Sequence, residues 1–143
     1  MTPQYIIMHC SATVDGAVHD WDAIKRYHVE NRGWSDIGYH WGIEIVDDRY
    51  QILFGRQPNE MGAHCSADRM NYRSLGVCCV GKFDDAPPPP EQWHLALQSV
   101  GLACDIYGIP VERVLGHGQV DIRKTCPGRA FNMDAFREQL RRR

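Results

Sequence analysis

The sequence predicts an α/β fold: a single domain over residues 1–143 with a central mixed β-sheet flanked by helices. Three observations carry this. Strand-like and helix-like stretches interleave along the chain. A hairpin signal, Asp47-Asp48 between two β-patterned runs, interrupts that order and requires an antiparallel pair. A chain of 143 residues, 43% hydrophobic and 24% charged, suits one core. At this length folding buries roughly 68–70% of the unfolded surface, so no disulfide staple is needed. The proline run Pro87–Pro90 is read as a spacer inside that domain, because too little chain lies on either side for two domains, and no internal repeat is visible.

Taken in order, Tyr5 to His9 is a short buried strand and Ser11 to His19 a loop. Asp20 caps a helix from Trp21 to about Asn31, with Asp22 in its first turn and Gly33 ending it. A glycine-punctuated loop, 33 to 40, leads into a strand from Trp41 to Val46 that places Tyr39, Trp41, Ile43 and Ile45 on one face and turns Glu44 away from Tyr39. Arg49 to Gly55 returns as the second hairpin strand. Residues 57 to 72 form a long irregular segment, the kind that carries function in compact domains. Ser74 to Gly81 is apolar on both faces, as a central strand should be. Glu91 to Tyr107 is the clearest helix, preceded by Pro and closed by Gly108 and Pro110. Val111 to Leu115 is a last short strand, and Asp134 caps a terminal helix ending in Arg141-Arg142-Arg143.

A formal net charge of −2 excludes a general nucleic-acid footprint. No stretch approaches the roughly 18 apolar residues of a membrane span. Residues 1 to 8 lack the basic and long apolar regions of a secretory signal. The six cysteines include the adjacent pair Cys78-Cys79, whose side chains point to opposite faces of a strand. The thiols are therefore read as mostly reduced in a protein made in the cytoplasm.

Chemistry concentrates in residues 115 to 128, where His117, Lys124 and Cys126 stand among glycines and a Pro-Gly pair, read as a loop rather than a regular helix. Imidazole and thiolate are preferred zinc ligands. Two do not make a site, and His9 at the end of the first strand is the obvious third. Three protein ligands are the number used by catalytic rather than structural zinc sites. The spacing alone leaves the plainer reading open, since most buried cysteines are small hydrophobes. A cysteine amidase with Cys126 as nucleophile and His117 as base is a further alternative, although Pro127 removes a backbone donor where an oxyanion hole often forms.

Five stretches in register resemble the zinc-dependent type 2 N-acetylmuramoyl-L-alanine amidases, a family that includes amidase-type phage lysozymes and peptidoglycan recognition proteins. They are Ile6-Ile7-Met8-His9-Cys10-Ser11-Ala12-Thr13, Gly33-Trp34-x-x-Ile37-Gly38-Tyr39-His40-Trp41, Gly62-Ala63-His64, Asn71-x-x-Ser74-Leu75-Gly76-Val77, and Gly116-His117 through Lys124-Thr125-Cys126-Pro127-Gly128. They cover about residues 5 to 140. The resemblance implies that His9, His117 and Cys126 hold Zn2+, that Tyr39 and Lys124 are catalytic, and that His64 and Asn71 line the substrate groove. Recycling-type members carry a catalytic Glu on the central strand where this chain has Cys78, so the sequence is similar to the tyrosine-dependent branch.

The implied reaction is hydrolysis of the amide between N-acetylmuramic acid and L-alanine in peptidoglycan. Zinc would polarise the carbonyl and make water nucleophilic at neutral pH. Lys124 would stabilise the developing oxyanion, and Tyr39, a hydrogen-bond donor at working pH, would orient the attacking water or share the oxyanion. His40 and Cys10 are read as packing or supporting residues. The terminal arginines suit a helix dipole, with contact to anionic phosphates as the sharper alternative. The implied setting is a monomeric phage or prophage endolysin, made in the cytoplasm and acting on the wall after release. A muropeptide-recycling amidase, a non-catalytic peptidoglycan-binding relative and a phage RNA polymerase regulator remain alternatives.

Overall fold

A computed structural model describes residues 1–14 and 21–143; the expected Asp20 cap and His19 lie outside the described residues. Five strands form one sheet in the order β3-β2-β4-β1-β5, where β1 is Tyr5–Cys10, β2 Trp41–Val46, β3 Arg49–Phe54, β4 Ser74–Cys79 and β5 Val114–Gly116. Only β2 and β3 are antiparallel; β1 pairs parallel with both β4 and β5, and β2 pairs parallel with β4. The expected mixed sheet is thus observed. Its hairpin turn takes φ of 50° at Asp47 and 63° at Asp48, both in the left-handed region that a two-residue turn with matching twist requires.

Every residue of β4 is buried, because it lies at the middle of the sheet with both faces covered. On one face pack α2 (Pro90–Tyr107) and α4 (Met133–Arg141), joined to the sheet by a core that includes Ile6, Met8, Ile43, Leu75, Val77, Val100 and Phe136. The helix α2 begins on Pro89-Pro90 and stops at Gly108, whose φ of 64° suits glycine at a helix end. Gln92 reaches from this helix into the sheet. Its fully buried amide donates to the carbonyls of Ile43 at 2.9 Å and Val80 at 2.8 Å, tying the ends of β2 and β4 together. The other face carries α1 (Trp21–Arg26), which continues as a π-helical segment Tyr27–Asn31, and the irregular stretch ending in a 3-10 turn, Ala67–Tyr72.

Several expectations shift. β2 begins only at Trp41, so alternation does not reach back to Tyr39. Trp41 and Ile43 face α2, whereas Tyr39 packs with Trp21 and Cys78 on the opposite face. Glu44 follows Gly42 on that same opposite face, so it shares the side of Tyr39 rather than pointing away. The loop expected from residue 115 contains a one-turn helix, α3 (His117–Val120), secured where the Gln119 side chain accepts the Gly116 N–H at 2.9 Å. The expected strand 111–115 is a 3-10 turn, Val111–Arg113, followed by β5. Asn132, not Asp134, caps α4 by accepting the Ala135 N–H at 2.9 Å; Asp134 sits in the first turn and pairs with Arg137.

Candidate metal centre

The parallel pairing of β1 with β5 brings His9, one residue from the end of β1, beside His117, the first residue after β5. Their rings lie 4.5 Å apart between centroids. Cys126 returns to them because the Gly118 N–H donates to the Cys126 carbonyl at 2.7 Å, closing the segment between the two side chains. Only glycine fits at 118, since a Cβ there would stand 2.5 Å from the Lys124 carbonyl oxygen. The Asp121 carboxylate ties the same segment, accepting the Arg123 N–H at 3.1 Å and its guanidinium at 2.8 and 2.9 Å; that guanidinium holds the carboxyl down to about 2.

One donor atom each from His9, His117 and Cys126 lies within 4.8 Å of the other two, and these residues form a cluster of metal-ligand character among the described residues. His9 Nδ1 stands 3.6 Å from Cys126 Sγ, which also accepts the Cys10 N–H at 3.3 Å. Burial lowers the pKa of His9 well below the ordinary imidazole value, and the neighbouring His64 and His117 lower it further. Burial lowers His117 too, helped by the Lys124 ammonium. Both rings are therefore neutral at pH 7 and have a lone pair to offer. Hydrogen bonding with the Cys10 thiol and burial push the Cys126 thiol up, so a cation has to draw off its proton. Two neutral imidazoles and one displaceable thiol proton form a donor set that fits zinc.

Tyr39 flanks this cluster, its ring 5.2 Å from that of His9. Burial, reinforced by the Cys78, Cys126 and Cys10 thiols, pushes its phenol well above its ordinary value and keeps it a donor. The loop holding it is anchored by the Gly38 N–H on His28 Nδ1 at 3.0 Å and by Arg56, which donates to the Ile37 carbonyl at 2.8 Å. Lys124 is exposed, near enough to His117 for its charge to act there, and lines a groove with Gln119, Arg129 and Asn132.

His64 and Asn71 lie together next to His9. His64 is buried at 9% exposure, its Nδ1 3.0 Å from His9 Nε2. The Asn71 carboxamide oxygen accepts the N–H groups of His64 at 2.7 Å and Cys65 at 2.8 Å. His64 thus lies behind His9, and half-buried Asn71 fixes its backbone. His40 is buried likewise, accepting the Gly76 N–H at 2.9 Å through Nδ1. Trp41 is a core residue whose indole donates to Ser99 at 3.1 Å. The terminal arginines are paired with acids: Arg141 with Glu112 and Glu138, Arg142 with Glu138, Arg143 with Asp105. The contacts of Cys78 with Tyr39 and of Gly62 and Gly76 with His64 escaped sequence reading, because the partners come from separate strands and loops.

A family model described as N-acetylmuramoyl-L-alanine amidase matches residues 1–129. Peptidoglycan-recognition protein LB of Drosophila melanogaster is 32% identical over 133 residues, a match covering 87% of this chain and 54% of that protein. The endolysin of Enterobacteria phage T3 is 37% identical over 84 residues, covering 59% of this chain and 52% of the endolysin. Among solved structures, N-acetylmuramoyl-L-alanine amidase LysC from Clostridium intestinale superposes with a TM-score of 0.80 at 27% identity, over 98% of this chain and 86% of that one. The chain spans about half the length of the curated relatives it matches.

Proposed function

The chain belongs to the N-acetylmuramoyl-L-alanine amidase family, and from that premise we propose that it hydrolyses the amide joining N-acetylmuramic acid to L-alanine in bacterial peptidoglycan, with zinc held by His9, His117 and Cys126. One observation carries the reading: three zinc-type donors converge from the end of β1 and the segment after β5, and the half-buried Tyr39 and the exposed Lys124 flank them. Bound there, zinc supplies Lewis acidity that polarises the amide carbonyl and makes water nucleophilic at neutral pH.

The chain's own groups do the rest. Lys124 offers an ammonium to the charge that develops on the carbonyl oxygen, a contribution of about 3 kcal/mol when one such donor is removed. Tyr39, held protonated by its burial, donates a hydrogen bond that orients the attacking water or shares the oxyanion. The Cys10 N–H, 3.3 Å from Cys126 Sγ, stabilises negative charge on the sulfur. The endolysin relatives support a phage or prophage lytic role, with synthesis in the cytoplasm and action on the wall. The recognition-protein relatives favour a second reading, binding of peptidoglycan without cleavage. The complete donor set argues for the enzyme.

The test is zinc content together with release of L-alanine amine termini from purified peptidoglycan, on the unsubstituted chain and on Cys126→Ala. About one zinc per chain, with metal and cleavage both lost in the variant, is the expected outcome. Cleavage that persists without zinc and resists chelation would overturn the metal reading in favour of a Cys126 nucleophile. Zinc bound without any cleavage would leave recognition as the function.

A further inference from the structure

We propose that His64 is a positioning residue of the metal centre: it accepts the Nε2 proton of His9 and so presents His9 Nδ1 to the ion. This rests on the reading of His9 as a ligand, and no relative's name assigns a role to His64.

The tautomers can be worked out from the far end of the chain of contacts. His64 Nε2 lies 3.4 Å from the Ser74 carbonyl oxygen, which only accepts. The Ser74 hydroxyl, 3.5 Å from the same nitrogen, has already given its proton to the Met70 carbonyl at 2.7 Å. Among the described residues neither partner of His64 Nε2 has a proton to give it, so that nitrogen carries the hydrogen. In a neutral ring His64 Nδ1 then has the lone pair. At 3.0 Å it faces His9 Nε2, which must donate. His9 Nδ1 is left as the lone-pair atom, and it is the atom that faces Cys126 Sγ at 3.6 Å. The opposite assignment would leave two acceptors facing each other at Ser74 and put a proton where the metal belongs.

The ring of His64 is held for this task. It meets the His9 ring nearly edge-on, at 84°, with centroids 5.0 Å apart. Two glycines make its slot. A Cβ on Gly62 would stand 2.5 Å from His64 Cδ2, and one on Gly76 would stand 2.5 Å from both Cδ2 and Cγ. Asn71 fixes the backbone of His64 by accepting its N–H at 2.7 Å. The partner that sets the tautomer of His9 is therefore a neutral imidazole anchored on the central strand, where metal-site histidines commonly use a carboxylate or a carbonyl.

Two measurements on the full chain test this. In metal-free protein with 15N-labelled histidine, long-range proton–nitrogen correlations should give His9 as the Nε2–H tautomer; an Nδ1–H tautomer would overturn the proposal. Zinc affinity, read with Zn2+ alone by competition against a chromogenic chelator, should fall about 10- to 100-fold in His64→Leu, which fills the slot without an acceptor. It should stay within about threefold in His64→Asn, whose carboxamide oxygen falls near the place of Nδ1. Wild-type zinc affinity in His64→Leu, or equal loss in both variants, would overturn it. If His64→Leu fails to fold, the tautomer in the unsubstituted chain decides alone. Neither readout needs amide cleavage, so a chain with the expected tautomer and affinities that cleaves nothing would sink the amidase reading and leave this one standing.

Discussion

Gly76→Ala puts the support of the metal centre under load without touching a ligand. The new Cβ would lie 2.5 Å from His64 Cγ and Cδ2 and 2.9 Å from Nδ1, where ordinary contact begins at 3.4 Å. The neighbouring backbone is fixed, since the Gly76 N–H donates to His40 and its carbonyl accepts the His40 N–H, each at 2.9 Å. The ring of His64 must therefore recede by about 1 Å, which stretches its 3.0 Å bond to His9 past useful length. Overpacking of this size costs roughly 1–3 kcal/mol, and alanine returns about 0.5–1 kcal/mol relative to glycine in a strand, for a net loss of about 0.5–2 kcal/mol. Zinc affinity should fall at least about tenfold, equivalent to about 1.4 kcal/mol. Urea midpoints measured in chelator give the first quantity and zinc competition the second. Destabilisation with wild-type zinc affinity would refute the coupling of slot to ligand. Unchanged stability would refute the packing itself.

Asn71→Ala should cost about 2–4 kcal/mol in urea unfolding, because it leaves the buried N–H groups of His64 and Cys65 unpaired; a loss under about 0.5 kcal/mol would contradict this. Burial lowers the pKa of His28, His40 and His64, the last to about 3, so in the unfolded chain they take up protons near pH 6.5 and in the folded one they do not. Stability of the metal-free chain should hence be full above about pH 7 and fall as pH drops through 6.5. His64 alone loses about 1.4 kcal/mol by pH 5.5, and His9, His28, His40 and His117, lowered too, add losses of the same sign; an unchanged urea midpoint there would refute it. Lys124→Met should reduce amide cleavage about 100- to 1,000-fold with zinc binding within twofold, and near-normal cleavage would remove Lys124 from the mechanism. Zinc at about 1,000 times its dissociation constant adds about 4 kcal/mol, so chelation should lower the melting temperature by about 10 °C, and an unmoved melting curve would argue against any bound ion.

The strands β1 and β4, the hairpin and α2 were legible because each wears its period or its terminators openly: apolar runs, paired aspartates, prolines before and glycine after. The grouping of His9, His117 and Cys126 was legible because His and Cys at strand ends and in a glycine-rich loop are the residue types that metal sites draw on. What failed were the places where a local pattern is ambiguous about its frame. Tyr39 lies two residues before β2 starts, and a period-two pattern does not announce where pleating begins, so its face came out reversed and Glu44 with it. Asn132 and Asp134 are equally good capping residues, and only backbone geometry chooses between them. The contact of His64 with His9 was not legible, because the Ser74 carbonyl and the two glycines that define its place come from strands and loops that spacing cannot bring together.

The donors of the metal centre are spread almost as widely as the chain allows, with 117 positions between His9 and Cys126. A ribosome adding roughly 5–20 residues per second would need about 6–23 s to pass from one to the other. Until His117 is added the emerging polypeptide owns a single imidazole of the set, and until Cys126 is added the set is incomplete. Loading would thereby be deferred until all five described strands have been made, and β1 must wait for β5 before its end meets His117. Metal capture by these three residues would be a late event of biogenesis, and a time-resolved pulse of labelled zinc during cell-free translation should find it only on polypeptides extended beyond Cys126.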